Sequence, residues 1–309
     1  MNIRLRLTGF VVSAALCVIS TSARAQIFVV NQGPLGVGTI GEYTISGTTI
    51  NAALVTGLDI PTNIAISGGN LFVAQPRQGS IAKFTTSGGT VNRALISGLF
   101  NPTTVAVSGG NLLVTNDDTI GEYTTSGATV NALLISGLSN PTGIAVSGGK
   151  LFVANFVSGT IGKYDATTGA TVNPALVSGL SNPAGIALFG GKLFVANNGS
   201  GTIGEYDAAT GATINNALVS GLSSPYGIAV SGGNLFVTNI NIGTIGEYDA
   251  ATGAAINPAL VSGLNAPEGI AVLPDGSSPP PLHGCWWIII ALLVIILILI
   301  YLLWRKIKT

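Results

Sequence analysis

The stretch "GTIGEYDAATGATINNALVSGL", which begins at Gly201, returns almost unchanged at Gly243. Aligning its "GTIGEY" core places earlier starts at Gly38, Gly79, Asp118 and Gly159, six copies spaced 39 to 42 residues apart. A second marker, Gly-Leu-x-x-Pro, also occurs six times, from Gly57, Gly98, Gly137, Gly179, Gly221 and Gly263. Self-similarity at a period of about 40 residues restricts the chain to a propeller or a solenoid, because one such unit cannot bury its apolar face alone.

The inside of a unit decides between them. From Pro183 the chain reads a short apolar run, "GIAL", a Gly-Gly turn, and then "LFVAN", a run rich in β-formers. "NGSG" turns the chain, "TIGEYD" alternates, "AATGAT" turns it again, and "NALVSGL" closes the unit. Four short strands bounded by Gly, Asn, Asp and Pro leave no room for a helix, and no apolar 3.6-residue period occurs in the repeats. The expectation is an all-β chain, a six-bladed β-propeller with one four-stranded blade per repeat. "GIAV" is small enough for an innermost strand, "LFVA" suits a strand covered on both faces, and "TIGEY" reads as a half-exposed outer strand.

The phase of the repeat predicts how the ring closes. The chain beyond residue 25 begins with "IFVV", a second-strand sequence lacking its own "GIAV", and the last repeat ends on an orphan "GIAVL" at 269–273. Pairing 269–273 beside 27–31 would complete blade one and remove two open edges.

The ends are written differently from the middle. Arg4 and Arg6, the apolar stretch 7–19 and Ala23-Arg24-Ala25 have the layout of a secretory signal peptide, residues 1–25. Residues 286–304, "WWIIIALLVIILILIYLLW", carry no charge, and Arg305, Lys306 and Lys308 follow. A helix of that length spans roughly 28 Å and predicts one transmembrane segment, with the tail 305–309 cytoplasmic and the propeller, 26–273, extracytoplasmic on a Pro/Gly/Ser linker, 274–285. The tail also resembles the sorting signals of bacterial surface proteins of the PEP-CTERM class, although Pro279-Pro280-Pro281 stands where Pro-Glu-Pro is expected. A retained span is preferred over a removable signal.

Cys17 falls in the signal and Cys285 at the membrane boundary, so no disulfide is expected in the propeller, where the compartment would permit one. The outer portion holds six basic and twelve acidic residues, a net charge of −6, which argues against nucleic acid as a partner.

"PxGIAVSGGxLFVANxxSGTIGEYD", as at 141–165 and 225–249, resembles the NHL-repeat and YVTN-type propeller units of secreted proteins, over residues 26–273. The resemblance implies the fold; the frame carries lyases, lactonases and plain binding surfaces alike. These repeats write "VAN" or "VTN" and "GTIG" where NHL units commonly have Ala-Asp and a later Arg, which argues against a charged ligand face. Lyase propellers of the virginiamycin and peptidylglycine types depend on histidine, and the one histidine here, His283, lies in the linker. Neither site carries over. Gluconolactonase-like propellers use acidic and Asn ligands to a divalent ion near the axis.

The counterparts of those ligands are the residues after each inner-strand proline, Thr62, Thr103, Thr142, Ala184, Tyr226 and Glu268, which repeat symmetry places around one mouth of the channel. A second ring, Asn31, Gln75, Asn116, Asn155, Asn197 and Asn239, is expected to cap turns. Asp117 and Asp118 interrupt the repeat, and a solvated turn is preferred over a calcium site. Phe156, Ile240 and Ile242, apolar in a turn that should face solvent, are candidate rim contacts. No catalytic group, metal or cofactor is assigned. The expected function is a binding module for a protein or a polysaccharide. The alternative is a metal-assisted, lactonase-like hydrolase using Glu268, which would require two or more further carboxylates at coordinating distance.

Overall fold

The computed structural model describes residues 25–33 and 36–274. Residues 1–24 of the expected signal, 275–285 of the linker, the span 286–304 and the tail 305–309 lie outside the described residues, as do Cys17, His283 and Cys285. Among the described residues no helix is long and apolar enough to cross a membrane.

The repeats form a six-bladed propeller of four-stranded antiparallel sheets. Blade 5 shows the plan, from the axis outward: Pro183–Phe189, Lys192–Asn197, Thr202–Asp207 and Thr213–Val219. The second strand is buried from its second residue onward because its two faces feed different cores. Leu193 and Val195 pack with Phe152 and Ala154 of blade 4, while Phe194 and Ala196 pack with Leu235 and Val237 of blade 6. Strand alternation thus turns one "LFVA" into half of each of two inter-blade cores. Each fully buried Leu or Phe contributes roughly 1.5–3 kcal/mol.

The third strand is not the half-exposed outer strand that its alternation suggests. In blade 5 only Thr202 and Asp207 of this strand are partly exposed, and Tyr206 and Glu205 are almost fully buried. The reason is Gly204: the Tyr206 ring folds back over it, and a Cβ there would meet the phenol oxygen at 2.6 Å. The exposed edge belongs to the fourth strand, whose first five residues face solvent. There the Asn215 side chain accepts from the Ala217 amide at 3.1 Å, at a shift in the register, and Asn51, Asn92, Asn131, Asn173 and Asn257 do the same in the other blades. A ladder interrupted in this way makes a poor template for edge-to-edge pairing.

Ring closure follows the expected pairing. The last strand, Pro267–Leu273, completes blade 1 beside Gln26–Asn31, with Ile27 opposite Val272 and Val29 opposite Ile270. Gln26 and Leu273 stand where the other blades have a Gly-Gly hairpin, so both chain ends leave the propeller on the hairpin face. Pro267 pairs with Asn31 at the opposite end, beside the channel mouth.

Candidate functional site

A proline opens or shortly precedes each of the six inner strands, and the residue before it is held at positive φ: Ile60, Asn101, Asn140, Asn182, Ser224 and Ala266, between 43° and 52°. This kink delivers the residue after the proline to one mouth of the channel, in the order Glu268, Thr62, Thr103, Thr142, Ala184 and Tyr226 for blades 1 to 6.

The threonine hydroxyls are committed to the frame. Thr62 donates to the Thr103 carbonyl at 2.8 Å, Thr103 to the Pro141 carbonyl at 2.8 Å, and Thr142 to the Pro183 carbonyl at 3.1 Å. Each bond ties a blade to its successor, so these side chains work as inter-blade staples. Between blades 6 and 1 the same task falls to Thr238, which stands where blades 2, 4 and 5 have Ala and donates to the Glu268 carbonyl at 2.7 Å.

The next position along each inner strand sets how closely the blades approach. It is glycine in blades 4, 5, 6 and 1, where a Cβ on Gly143, Gly185 or Gly227 would collide with the carbonyl of the following blade, and one on Gly269 would meet the Asn63 Cα at 2.5 Å. In blades 2 and 3 it is Asn63 and Thr104, which fill the space with hydrogen bonds: Asn63 accepts from the Val105 amide at 3.2 Å, and the Thr104 hydroxyl donates to the Thr142 carbonyl. The ring encloses a channel cavity of about 190 Å³ whose lining includes Asn63, Thr142, Tyr226 and Ile270. Neither Asn63 nor Thr104 was singled out from sequence, although both break a Pro-x-Gly pattern that the other four repeats keep.

Glu268 is the one charged residue of the mouth and is 8% exposed. The Gln32 side-chain amide donates to its Oε1 at 2.5 Å, while Oε2 is buried without a hydrogen-bond partner. Burial pushes its pKa up to about 8, so the carboxyl is largely protonated at neutral pH. Tyr226, in the neighbouring inner strand, has its phenol raised well above the ordinary range by desolvation and then by the Glu268 charge. The pair offers a desolvated proton donor beside a phenol. Among the described residues no group of three or more His, Cys, Asp or Glu could hold a metal ion, so the further carboxylates that metal-assisted hydrolysis would need are not brought to Glu268.

Four of the six amides cap turns as expected, whereas Asn31 Oδ1 and Asn197 Oδ1 are buried without a hydrogen-bond partner. Asn155 accepts from the Ser139 amide at 3.1 Å and donates to the Thr160 hydroxyl at 3.3 Å, and Asn239 does the same with Ser223 and Thr244. Gln75 accepts from the Asp59 amide, and Asn116 from the Phe100 amide. Asp118 accepts from the Asn140 amide at 3.1 Å, as a turn residue does. Of the rim candidates, Ile242 is 59% exposed, whereas Phe156 and Ile240 are half-buried; Val157, beside Phe156, is 69% exposed.

No family model and no curated protein matches the chain. Among solved structures, one chain of a crystal structure of a nidogen/laminin complex superposes with a TM-score of 0.70 at 18% identity, covering 80% of this chain and 98% of that one. The computationally designed protein Ika8 superposes with a TM-score of 0.49 at 18% identity over 75% of this chain and 73% of its own. At such identities the first likeness shows the propeller fold, and the second carries no argument.

Proposed function

We propose that the chain is an extracytoplasmic interaction module of the NHL or YVTN type, tethered by its C-terminal apolar segment, which presents the channel-mouth face to a protein or polysaccharide. The observation that carries this reading is the position of the chain ends. Residues 25 and 274 leave the propeller on the hairpin face, and Glu268, Tyr226, Val157 and Ile242 belong to the opposite end of the blades. A membrane anchor following residue 274 would therefore hold the hairpin face toward the bilayer and point the mouth and its rim away from it.

The test is a photo-crosslinking residue placed at Ile242 or at Ser231 in the full chain within isolated membranes. Adducts at Ile242 and none at Ser231 are expected. A chain recovered in the soluble fraction, or adducts confined to Ser231, would overturn the reading.

The hydrolase reading rests on a different observation, a desolvated carboxyl whose pKa lies near neutrality and which could act as a general acid or base without metal. Hydrolysis of a lactone or ester panel, abolished in Glu268→Gln, would favour it over binding alone.

A further inference from the structure

The hairpin face carries a groove of about 450 Å³ between blades 4 and 5. We propose that it binds a carboxylate joined to an apolar face, as in an acidic sugar or an aryl acid.

The argument starts from what the other blades place at the same positions. The first residue of the second strand lies diagonally across from the third-strand residue that pairs with its third, and these diagonal neighbours are Gln26 with Glu42, Asn70 with Lys83, Asn111 with Glu122, Lys192 with Glu205 and Asn234 with Glu247. The glutamates accept from their partners: Gln26 to Glu42 at 2.7 Å, Asn111 to Glu122 at 2.8 Å, Asn234 to Glu247 at 2.7 Å. Lys192 approaches Glu205 at 2.5 Å as an ion pair, without the alignment of a hydrogen bond.

Blade 4 alone sets two lysines there, Lys150 and Lys163. Lacking the acid, Lys150 turns to Asp165 at 3.0 Å, which holds that carboxylate well below its usual range. Lys163 lies over the Phe152 ring and donates to the Ala208 and Ala209 carbonyls of blade 5; among the described residues no carboxylate stands within ion-pair distance of it, although its charge helps to lower the pKa of Asp207. Lys83, the other lysine at this place, also donates to a carbonyl of the next blade, and its neighbour is Asn70, so blade 2 sets one ammonium group where blade 4 sets two, one of them offset by Asp165.

A third departure meets the same groove. Ser67, Ser108, Ser147 and Ser231 end the inner strands of blades 2, 3, 4 and 6, but blade 5 ends on Phe189, 47% exposed. Lys150, Lys163 and Phe189 all line the one cavity. Near-copied repeats thus combine two lysines and a phenylalanine at a single concavity, with two ammonium groups, one of them paired to Asp165, at one side and an aromatic face at the other. A carboxylate reaches the ammonium groups, and an apolar face covers the ring. A concave groove between blades favours a small solute over a bilayer. The site lies on the face opposite the channel mouth, so it stands or falls independently of the proposed mouth partner.

Saturation-transfer NMR on the detergent-purified full chain, with glucuronate and phenylacetate as probes and glucose and benzyl alcohol as neutral controls, tests it. One or both acids should bind, and the response of each tells which source of carboxylate the groove accepts. Lys163→Glu and Phe189→Ser restore the residues that neighbouring blades carry; Phe189→Ser should leave the melting temperature unchanged, and Lys163→Glu should stay folded but melt lower, through its lost bonds to blade 5. Affinity should fall on the order of tenfold or more with Lys163→Glu, as a charge-assisted contact is lost. Phe189→Ser should weaken phenylacetate most. Silence of both acids at millimolar concentration, undiminished binding in both variants, or binding only to phosphatidylglycerol vesicles would each overturn the proposal.

Discussion

The side-chain amide of Gln32 donates to Oε1 of Glu268 at 2.5 Å, joining residues 236 positions apart in sequence at the mouth of the channel. It satisfies one oxygen of a carboxyl whose other oxygen has no partner. Gln32 donates a hydrogen bond without a positive charge, so this contact offsets only part of the desolvation of an ionised Glu268.

The first prediction concerns pH. Burial raises the Glu268 pKa from 4.5 to about 8 in the folded state. A raised acid binds its proton more tightly when folded, so the stability it contributes is complete below pH 4.5 and drains away as pH rises toward 8. At about 1.4 kcal/mol per unit, roughly 5 kcal/mol is the upper bound on the change. Glu268→Gln keeps an acceptor for Gln32 and cannot ionise. It should remove this dependence, matching the wild type near pH 4.5 and exceeding it by a few kcal/mol at pH 9. Denaturant melts across that range would contradict the assignment if the two proteins kept parallel profiles.

The second concerns the kink before each inner strand. Asn101, Asn140 and Asn182 occupy the left-handed region, which asparagine tolerates, but Ile60 at φ 44° and Ala266 at φ 43° hold it against their Cβ atoms. Left-handed backbone costs a non-glycine residue about 1–2 kcal/mol. Ile60→Asn and Ala266→Asn should each raise the unfolding free energy by about 0.5–1 kcal/mol, Ile60→Asn less because it gives up packing. A lower melting temperature for Ala266→Asn would mean that the strain is compensated locally.

The frame was legible in the sequence because it is periodic. Six "LFVA"-like runs, six Gly-Leu-x-x-Pro markers and the split first repeat specify blade number and closure without any knowledge of contacts. The site was legible only in part. Repeat symmetry places Glu268 and Tyr226 at the mouth, but it cannot say that the threonine hydroxyls beside them are spent on neighbouring carbonyls, or that Gln32 reaches Glu268 from a segment outside the repeat pattern. The third strand was misread because its alternation says nothing of Tyr206 folding over Gly204. Lys150, Lys163 and Phe189 are visible as departures from the repeat, yet their convergence needs the register of two blades.

A third prediction tests how the inner strands set the ring. Gly185 stands where a Cβ would strike the Tyr226 carbonyl, whereas Thr104, at the equivalent position in blade 3, fills open space and donates to Thr142. Gly185→Ala should cost about 1–3 kcal/mol or more, since the obstacle is backbone. Thr104→Gly should cost about 1 kcal/mol, for one hydrogen bond and added chain entropy. Chemical denaturation of the two variants gives the order, and a Gly185→Ala protein as stable as the wild type would show that the blades are free to move apart.

The last prediction separates contact from packing on the rim. Phe156 and Ile240 are half-buried, and their amides bond the carbonyls of Asn140 and Ser224, which fixes the turn. Val157 and Ile242 carry 69% and 59% of their surface into solvent on the face that also bears the mouth. Large aliphatic groups held outward on a rigid turn give up no ordering entropy when a partner covers them, so they are the positions that binding should feel. Val157→Ser with Ile242→Ser should leave stability within about 0.5 kcal/mol of the wild type and reduce cross-linked partner on native membranes. Phe156→Ala should instead lower the melting temperature, through lost packing. Thermal denaturation and quantitative cross-linking on the same samples give both readouts. Undiminished capture by the double serine variant would move the contact off this rim.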